Sequence, residues 1–278
     1  MRIRQYVKNL LIFLPIFFSA KINNLDILLL TGLAFIAFSA IASSVYIIND
    51  IMDVGSDRKH PKKCFRPIAS GKISTKQALL PFFICLPLGL ILSFSLNILP
   101  YTGAYLLLNL LYSLRLKEIP ILDISTVSTG FVIRLLVGAE IANIDPSMWI
   151  VQMTFLLSVF LVLGKRRHDI LVYQKTGKKV RSVIDGYNLE FINGSMLLMS
   201  GIIIVSYIMY CASPEVQERI KSNKLYLTSI FVIVGLLKYL HLAFVERRSD
   251  APVEVLLKDP LILTTVIMWM CSFAYFIY

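Results

Sequence analysis

Apolar residues in this chain gather into long, nearly unbroken runs, and polar residues are confined to the short stretches between them. A run of about 20 apolar residues is what a helix needs to cross the core of a bilayer. Nine such runs stand out, at roughly 7–21, 26–48, 77–97, 99–115, 119–142, 147–164, 191–211, 225–245 and 260–278. The pattern predicts an all-α integral membrane protein, a bundle of nine transmembrane helices. The first run is short and carries Pro15, so it is expected to be tilted or partly interfacial. Basic residues precede it in MRIRQYVKN, as in a signal peptide. No small-residue cleavage site follows, and it reads as the first membrane helix. Neither an internal repeat nor a low-complexity linker interrupts the pattern. The expectation is a single helical domain over 1–278, with polar, chemistry-bearing loops near 49–76, 112–123 and 164–190.

Composition narrows this further. Hydrophobic residues make up 57% of the chain and charged residues 16%, against about 45–50% and about 25% in a soluble domain. Soluble and disordered classes are excluded. The formal net charge is +11, but with this many apolar runs the excess points to membrane topology and phosphate rather than to nucleic acid. The alternation of spans puts 22 of the 28 Lys and Arg residues on one side. They fall at 2–8, 58–76, 115–117, 165–181 and 247–258, while Lys21, Arg219, Lys221 and Lys224 fall on the other. The positive-inside rule places the rich side, and the N-terminus, in the cytoplasm, as in an inner (plasma) membrane protein. Cys64, Cys85, Cys211 and Cys271 lie far apart and suggest neither a disulfide framework nor a zinc site.

At the cytoplasmic end of the second span stands Asn49-Asp50-Ile51-Met52-Asp53-Val54-Gly55-Ser56-Asp57. On a helix, the i, i+3, i+7 spacing of Asp50, Asp53 and Asp57 gives one face. Three carboxylates there repel one another and stay ionised together when a cation sits among them. Hard oxygen ligands suit Mg²⁺, which binds through one or two carboxylates together with substrate phosphates. The bland alternative is a solvated helix end paired with the basic residues that follow. Those are Arg58, Lys59, Lys62, Lys63 and Arg66, five cations in nine residues and interlaced with His60, Pro61 and Pro67. They suit phosphate, and His60 reads as a polar loop residue.

The run N-D-x-x-D-x-x-x-D on the second of nine spans resembles the UbiA superfamily of intramembrane prenyltransferases. Its sequel, Asp57-Arg58-Lys59-His60-Pro61 through Phe65-Arg66-Pro67-Ile68-Ala69-Ser70-Gly71, is similar to one branch. That branch makes decaprenyl-phosphoryl-phosphoribose, a cell-envelope lipid precursor, by moving 5-phosphoribosyl from phosphoribosyl pyrophosphate onto a polyprenyl phosphate. Further segments resemble it too: Arg4-Gln5-Tyr6-Val7-Lys8-Asn9, Tyr112-Ser113-Leu114-Arg115-Leu116-Lys117 with Asp123, Gly130-Phe131-Val132-Ile133-Arg134, and Gly164-Lys165-Arg166. The resemblance implies a Mg²⁺-dependent transferase in which Asn49, Asp50, Asp53 and Asp57 hold Mg²⁺ and diphosphate, with Tyr112 and Lys117 near the donor. Prenyl-transferring members carry a second Asp-rich motif in the loop after the sixth helix. Here that place reads Gly164-Lys165-Arg166-Arg167-His168-Asp169, better suited to an anion than to a second metal.

These residues sort by charge. The acidic triad with Arg58, Lys63 and Arg66 is expected to hold the donor, Lys165 and Arg166 the acceptor's phosphate. Asp57 is expected at the metal, or one shell out on the donor's hydroxyls. Lys8 is read either as a contact to the lipid phosphate or as a membrane-surface anchor. Arg134, mid-span and 11 residues after Asp123, is read either as a phosphate ligand or as half of a structural pair with a carboxylate. Gly130 and Gly138 are expected to permit close helix approach. Two other functions compete: a prenyltransferase moving an isoprenoid from its diphosphate to an aromatic or other acceptor, and a non-catalytic lipid carrier. The basic run at 164–169 disfavours the first. The acidic triad disfavours the second, because an anion carrier has little use for three carboxylates at its mouth.

Overall fold

The computed structural model describes residues 3–59, 63–177, 179, 181–247, 255 and 258–277, of which 3, 4, 56, 59, 63 and 182 are described in backbone only. Lys62 and the side chains of Lys59 and Lys63, three of the five cations expected to suit phosphate, lie outside the described residues, as does His60. All regular structure among the described residues is helical. Seven helices are long and apolar enough to cross a membrane: α2 (Leu25–Met52), α4 (Thr75–Ser95), α6 (Leu122–Ile141), α7 (Met148–Thr176), α8 (Leu189–Ala212), Leu225–Phe244, which follows the short α9 (Pro214–Ile220) and ends in α10 (Ser229–Phe244), and α11 (Pro260–Ile277). The other two expected spans are helical but shorter. The first is a 3₁₀ helix, Ile3–Phe13, running into a single turn of α-helix, α1 (Leu14–Phe18), with Pro15 in its first turn. The fourth is α5 (Leu99–Leu114). The chain is a multi-pass membrane protein. Large apolar side chains such as Phe83, Phe94, Leu198 and Ile267 stand exposed, as lipid-facing surfaces require.

The chain packs as two compact units. The first comprises Met1–Lys117 and Thr129–Pro146. Its central element is α2, started by the Asn24 side chain, which accepts from the Ile27 amide. Ala34, Ala37, Ser39, Ala40, Ala42, Ser43 and Ser44 along α2 are buried, and small residues let neighbouring helices approach closely. Gly89 of α4 shows how closely, since a Cβ there would strike Ile41 and come within 3.0 Å of the Ala37 carbonyl. Gly138 of α6 lies against the backbone of Ile12, where a Cβ would collide. The close approach expected at Gly138 is present. At Gly130 a Cβ would meet nothing nearer than 3.5 Å, so that glycine is not required by packing.

The second unit comprises Glu118–Ser128 and Ser147–Tyr278. Its core joins Phe160 and Leu163 of α7, Ile192 and Met196 of α8, and Tyr239 and Leu240 of α10. Helix α7 differs from expectation. The span ending near 164 continues as helix through the basic run to Thr176 and stops at Gly177, whose φ of 66° is the left-handed conformation glycine supplies at a helix end. The charged turns stay helical because their charges are matched inside the fold.

Candidate active site

Helix α2 ends at Asp53, whose own φ and ψ (−91°, 6°) have left the helix, and α3 (Val54–Lys59) begins at once. The Asp53 amide donates to the Asn49 carbonyl at 2.9 Å, and the Asp57 amide to the Asp53 carbonyl at 2.8 Å. The acidic motif is thus two helical pieces with a break at its middle carboxylate, rather than one continuous face. The break leaves Asp50 and Asp57 together and turns Asp53 elsewhere. Nη1 of Arg66 donates to Oδ1 of Asp50 at 3.0 Å and to Oδ2 of Asp57 at 2.5 Å. Lys117 Nζ donates to Oδ1 of Asp53 at 3.2 Å. Asn49 accepts from the Ser113 hydroxyl at 2.6 Å, which ties the motif to the end of α5.

Arg66 reaches the carboxylates because its loop turns sharply. The Ser70 amide donates to the Arg66 carbonyl at 2.8 Å, the Ile73 amide to the Pro67 carbonyl at 3.1 Å, and Gly71 takes a φ of 77°. Pro67 and Gly71 supply that geometry cheaply. Arg58 is used differently, donating through Nε to the Ala69 carbonyl at 3.3 Å. It braces the loop on α3. Tyr112, half-buried, lies on the last turn of α5.

Deeper in the first unit, Arg134 is 4% exposed. It donates to Asn9 Oδ1 at 2.8 Å, to the Gly130 carbonyl at 2.5 Å and to the Tyr105 hydroxyl at 3.2 Å. Its guanidinium carbon lies 4.9, 5.0 and 5.5 Å from the ring centres of Phe38, Tyr105 and Phe131. The reading of Arg134 as half of an ion pair is therefore corrected: neutral acceptors and aromatic faces hold this cation. Lys8 Nζ lies 5.9 Å from the same Phe131 ring.

In the second unit the expected acceptor residues separate. Arg166 is 2% exposed and Asp123 fully buried. Arg166 Nε donates to Oδ2 of Asp123 at 2.5 Å and its Nη1 to Oδ2 of Asp169 at 3.2 Å. Arg181 also donates to Asp169, at 3.2 Å. Two cations around two carboxylates form a nearly neutral buried cluster, so Arg166 stands among internal acids rather than at an open phosphate site. Lys165 remains half-buried. Arg167 donates to Asn193 at 2.8 Å and to the Ala243 carbonyl near the end of α10, favourable for a cation at a helix C-terminus.

Sequence reasoning missed Tyr187. Its hydroxyl donates to Oδ1 of Asp123 at 2.6 Å and accepts from the Ile121 amide at 2.6 Å. Burial first, and the bond to Asp123 second, push its proton affinity far above the usual phenol range, so it stays a donor at any physiological pH. Ile121 has a φ of 70°, an unusual conformation for a β-branched residue. Nothing in the local sequence announces Tyr187, 64 residues from Asp123.

No group of three His, Cys, Asp or Glu among the described residues could hold a metal by itself. The donor set still fits Mg²⁺. Asp50 and Asp57 offer hard oxygens to one point of positive charge, now Arg66 Nη1, and a substrate diphosphate completes such a site elsewhere in phosphate chemistry.

Residues 9–258 match the family described as the UbiA prenyltransferase family. The decaprenyl-phosphate phosphoribosyltransferase of Corynebacterium glutamicum is 29% identical over 97% of this chain and 82% of its own. The protein of the same name from Mycolicibacterium smegmatis is 28% identical over 100% and 91%. A solved UbiA homologue from Archaeoglobus fulgidus, bound to GPP and Mg²⁺, superposes with a TM-score of 0.69 over 99% of this chain and 95% of that one, at 22% identity. That last likeness concerns the fold alone.

Proposed function

The chain belongs to the UbiA prenyltransferase family, and from that premise we propose that it transfers 5-phosphoribosyl from phosphoribosyl pyrophosphate to a polyprenyl phosphate, releasing pyrophosphate. Two relatives spanning nearly the whole chain bear the name of that activity. The observation that carries the choice over prenyl transfer is the state of Asp169. It is the one acid in the run where prenyl-transferring members place a second acidic motif, and it is enclosed by Arg166 and Arg181. A second metal on a prenyl diphosphate would find there a single carboxylate, already shared by two guanidinium groups.

In this reading Asp50, Asp53 and Asp57 would hold Mg²⁺ beside the donor's pyrophosphate. Mg²⁺ supplies charge compensation for the leaving group. Arg66, Lys63 and Lys117 bind donor phosphate, which carboxylates cannot. Asn49, fixed by Ser113, sets the end of α2 in place. Arg58 orients the loop that carries Lys63 and Arg66. Tyr112 stands beside the donor. Lys165 binds the acceptor phosphate, and Arg134 holds, through Asn9, the N-terminal segment that carries Lys8. Asp123 and Arg166 position α7 so that Lys165 faces the acceptor. The anomeric carbon loses pyrophosphate as an oxygen of the lipid phosphate attacks its opposite face, inverting the anomer. That oxygen is anionic near neutral pH and needs no general base. Catalysis is then positioning and charge compensation. The polyprenyl tail stays in the bilayer of an inner (plasma) membrane, and the donor enters from its cytoplasmic side.

Paired assays test this. Purified protein with Mg²⁺ is offered phosphoribosyl pyrophosphate with a polyprenyl phosphate, and separately an isoprenyl diphosphate with an aromatic acceptor. Turnover with the first pair alone is expected. Turnover with the second alone would make the protein a prenyltransferase.

A further inference from the structure

Asp57 is 2% exposed, and a carboxylate buried to that degree is costly to leave without a cation. Arg66 meets that demand from the side chain of a loop whose backbone is pinned at Arg66 and Pro67. The arrangement contains a conflict. Oxygens of Asp50 and Asp57 lie 3.0 and 2.5 Å from one nitrogen, hence within about 5.5 Å of each other. A Mg²⁺ ion bound to both, at about 2.0–2.1 Å from each, would hold them no more than about 4.2 Å apart. Guanidinium and metal would then occupy nearly the same place and repel one another. We propose that Arg66 and a divalent cation are alternative occupants of this carboxylate pair, and that Arg66 yields the pair only when the metal arrives with a diphosphate for the guanidinium to bind.

This rests on reading the acidic motif as the metal–diphosphate site, and it adds an order of events. Metal alone must displace Arg66 with nothing to receive it. Metal with diphosphate offers Arg66 a phosphate oxygen in exchange, a charge-assisted and potentially bidentate contact. The exchange needs only rotation of the side chain, which is 25% exposed. The protein should therefore bind free metal weakly and the metal–diphosphate complex tightly. Arg66 is both the placeholder and a ligand for the donor.

Manganese binding, read by the loss of the free-ion electron paramagnetic resonance signal, tests this without turnover. Wild type, Arg66→Gln and Arg66→Lys are titrated with Mn²⁺ alone and with inorganic pyrophosphate present. Loss of the placeholder should tighten binding of Mn²⁺ alone by about tenfold in Arg66→Gln, the scale of one charge-assisted contact. Pyrophosphate should strengthen Mn²⁺ binding in wild type much more than in that variant. Arg66→Lys, which keeps a cation beside Asp57, should tighten by about threefold, and it carries the test if Arg66→Gln does not fold. No tightening in whichever variant folds overturns the exchange. If wild type nevertheless binds Mn²⁺ with pyrophosphate, the metal reading survives that failure. If neither protein takes up Mn²⁺ even with pyrophosphate, both ideas fall together.

Discussion

At the scale of single residues, roles follow from what each charge touches. The i, i+3 spacing of Asp50 and Asp53 is read directly from sequence, but the pairing of Asp50 with Asp57 through Arg66, and of Asp53 with Lys117, is not. Asp50→Ala and Asp53→Ala are expected to lower turnover by at least about a hundredfold, the scale of losing a preorganised electrostatic contact, with melting temperature in detergent nearly unchanged. Wild-type rates at limiting Mg²⁺ would remove both from the site. Arg166 teaches the opposite lesson. Its partner Asp123 is 43 positions away, and no local pattern says that a cation in a basic run is already matched. Removing one partner of a buried pair costs about 3–5 kcal/mol. Arg166→Ala should therefore lower thermal stability sharply, whereas Lys165→Ala should raise the polyprenyl phosphate requirement in a normally stable protein. A stable Arg166→Ala protein with only its acceptor dependence changed would return Arg166 to the phosphate.

At the scale of elements, hydrophobic run length located the helices but not their polar ends. Helix α7 outruns its apolar stretch because Arg166, Arg167 and Asp169 find partners in the second unit, which run-counting cannot see. The break in α2 at Asp53 was equally hidden, since no proline or glycine sits at that position. The turn before α6 depends on the segment that carries Tyr187. The phenol accepts from strained Ile121 and donates to Asp123, while Gly186 lies against Pro120 so closely that any Cβ would collide. Tyr187→Phe removes both bonds and leaves the Ile121 amide and the buried Asp123 carboxylate each short of a partner. A loss of about 1–3 kcal/mol is expected, read as a lower melting temperature. Gly186→Ala should be destabilising for its own steric reason. Unchanged melting in Tyr187→Phe would mean that the segment does not hold the turn.

At the scale of the whole molecule, composition and charge asymmetry were enough to give an all-helical membrane protein, and the acidic motif was enough to give its family. The number of long crossings was less legible, because the first run folds as 3₁₀ helix with a single α-helical turn and the fourth as a helix of 16 residues, short of the about 20 that a crossing needs. The charge asymmetry predicts a cytoplasmic loop at 60–70. Cys64, native and partly exposed, reports on it in a protein whose other three cysteines are replaced. An impermeant maleimide should label Cys64 in inverted vesicles and not in intact cells. Labelling in intact cells would reverse the orientation and remove the cytoplasmic donor.

The central claim is that the ribose phosphate moves to the lipid while pyrophosphate leaves. Phosphoribosyl pyrophosphate labelled with ¹⁴C in the ribose and ³²P in the β-phosphate, incubated with purified protein, Mg²⁺ and a polyprenyl phosphate, follows both halves at once. The account predicts ¹⁴C in the organic phase and ³²P in the aqueous phase as pyrophosphate, in equal amounts, with neither product formed by Asp50→Ala. ³²P without ¹⁴C in the lipid would mean transfer of the pyrophosphoryl group, and no ¹⁴C in the lipid at all would contradict the account outright.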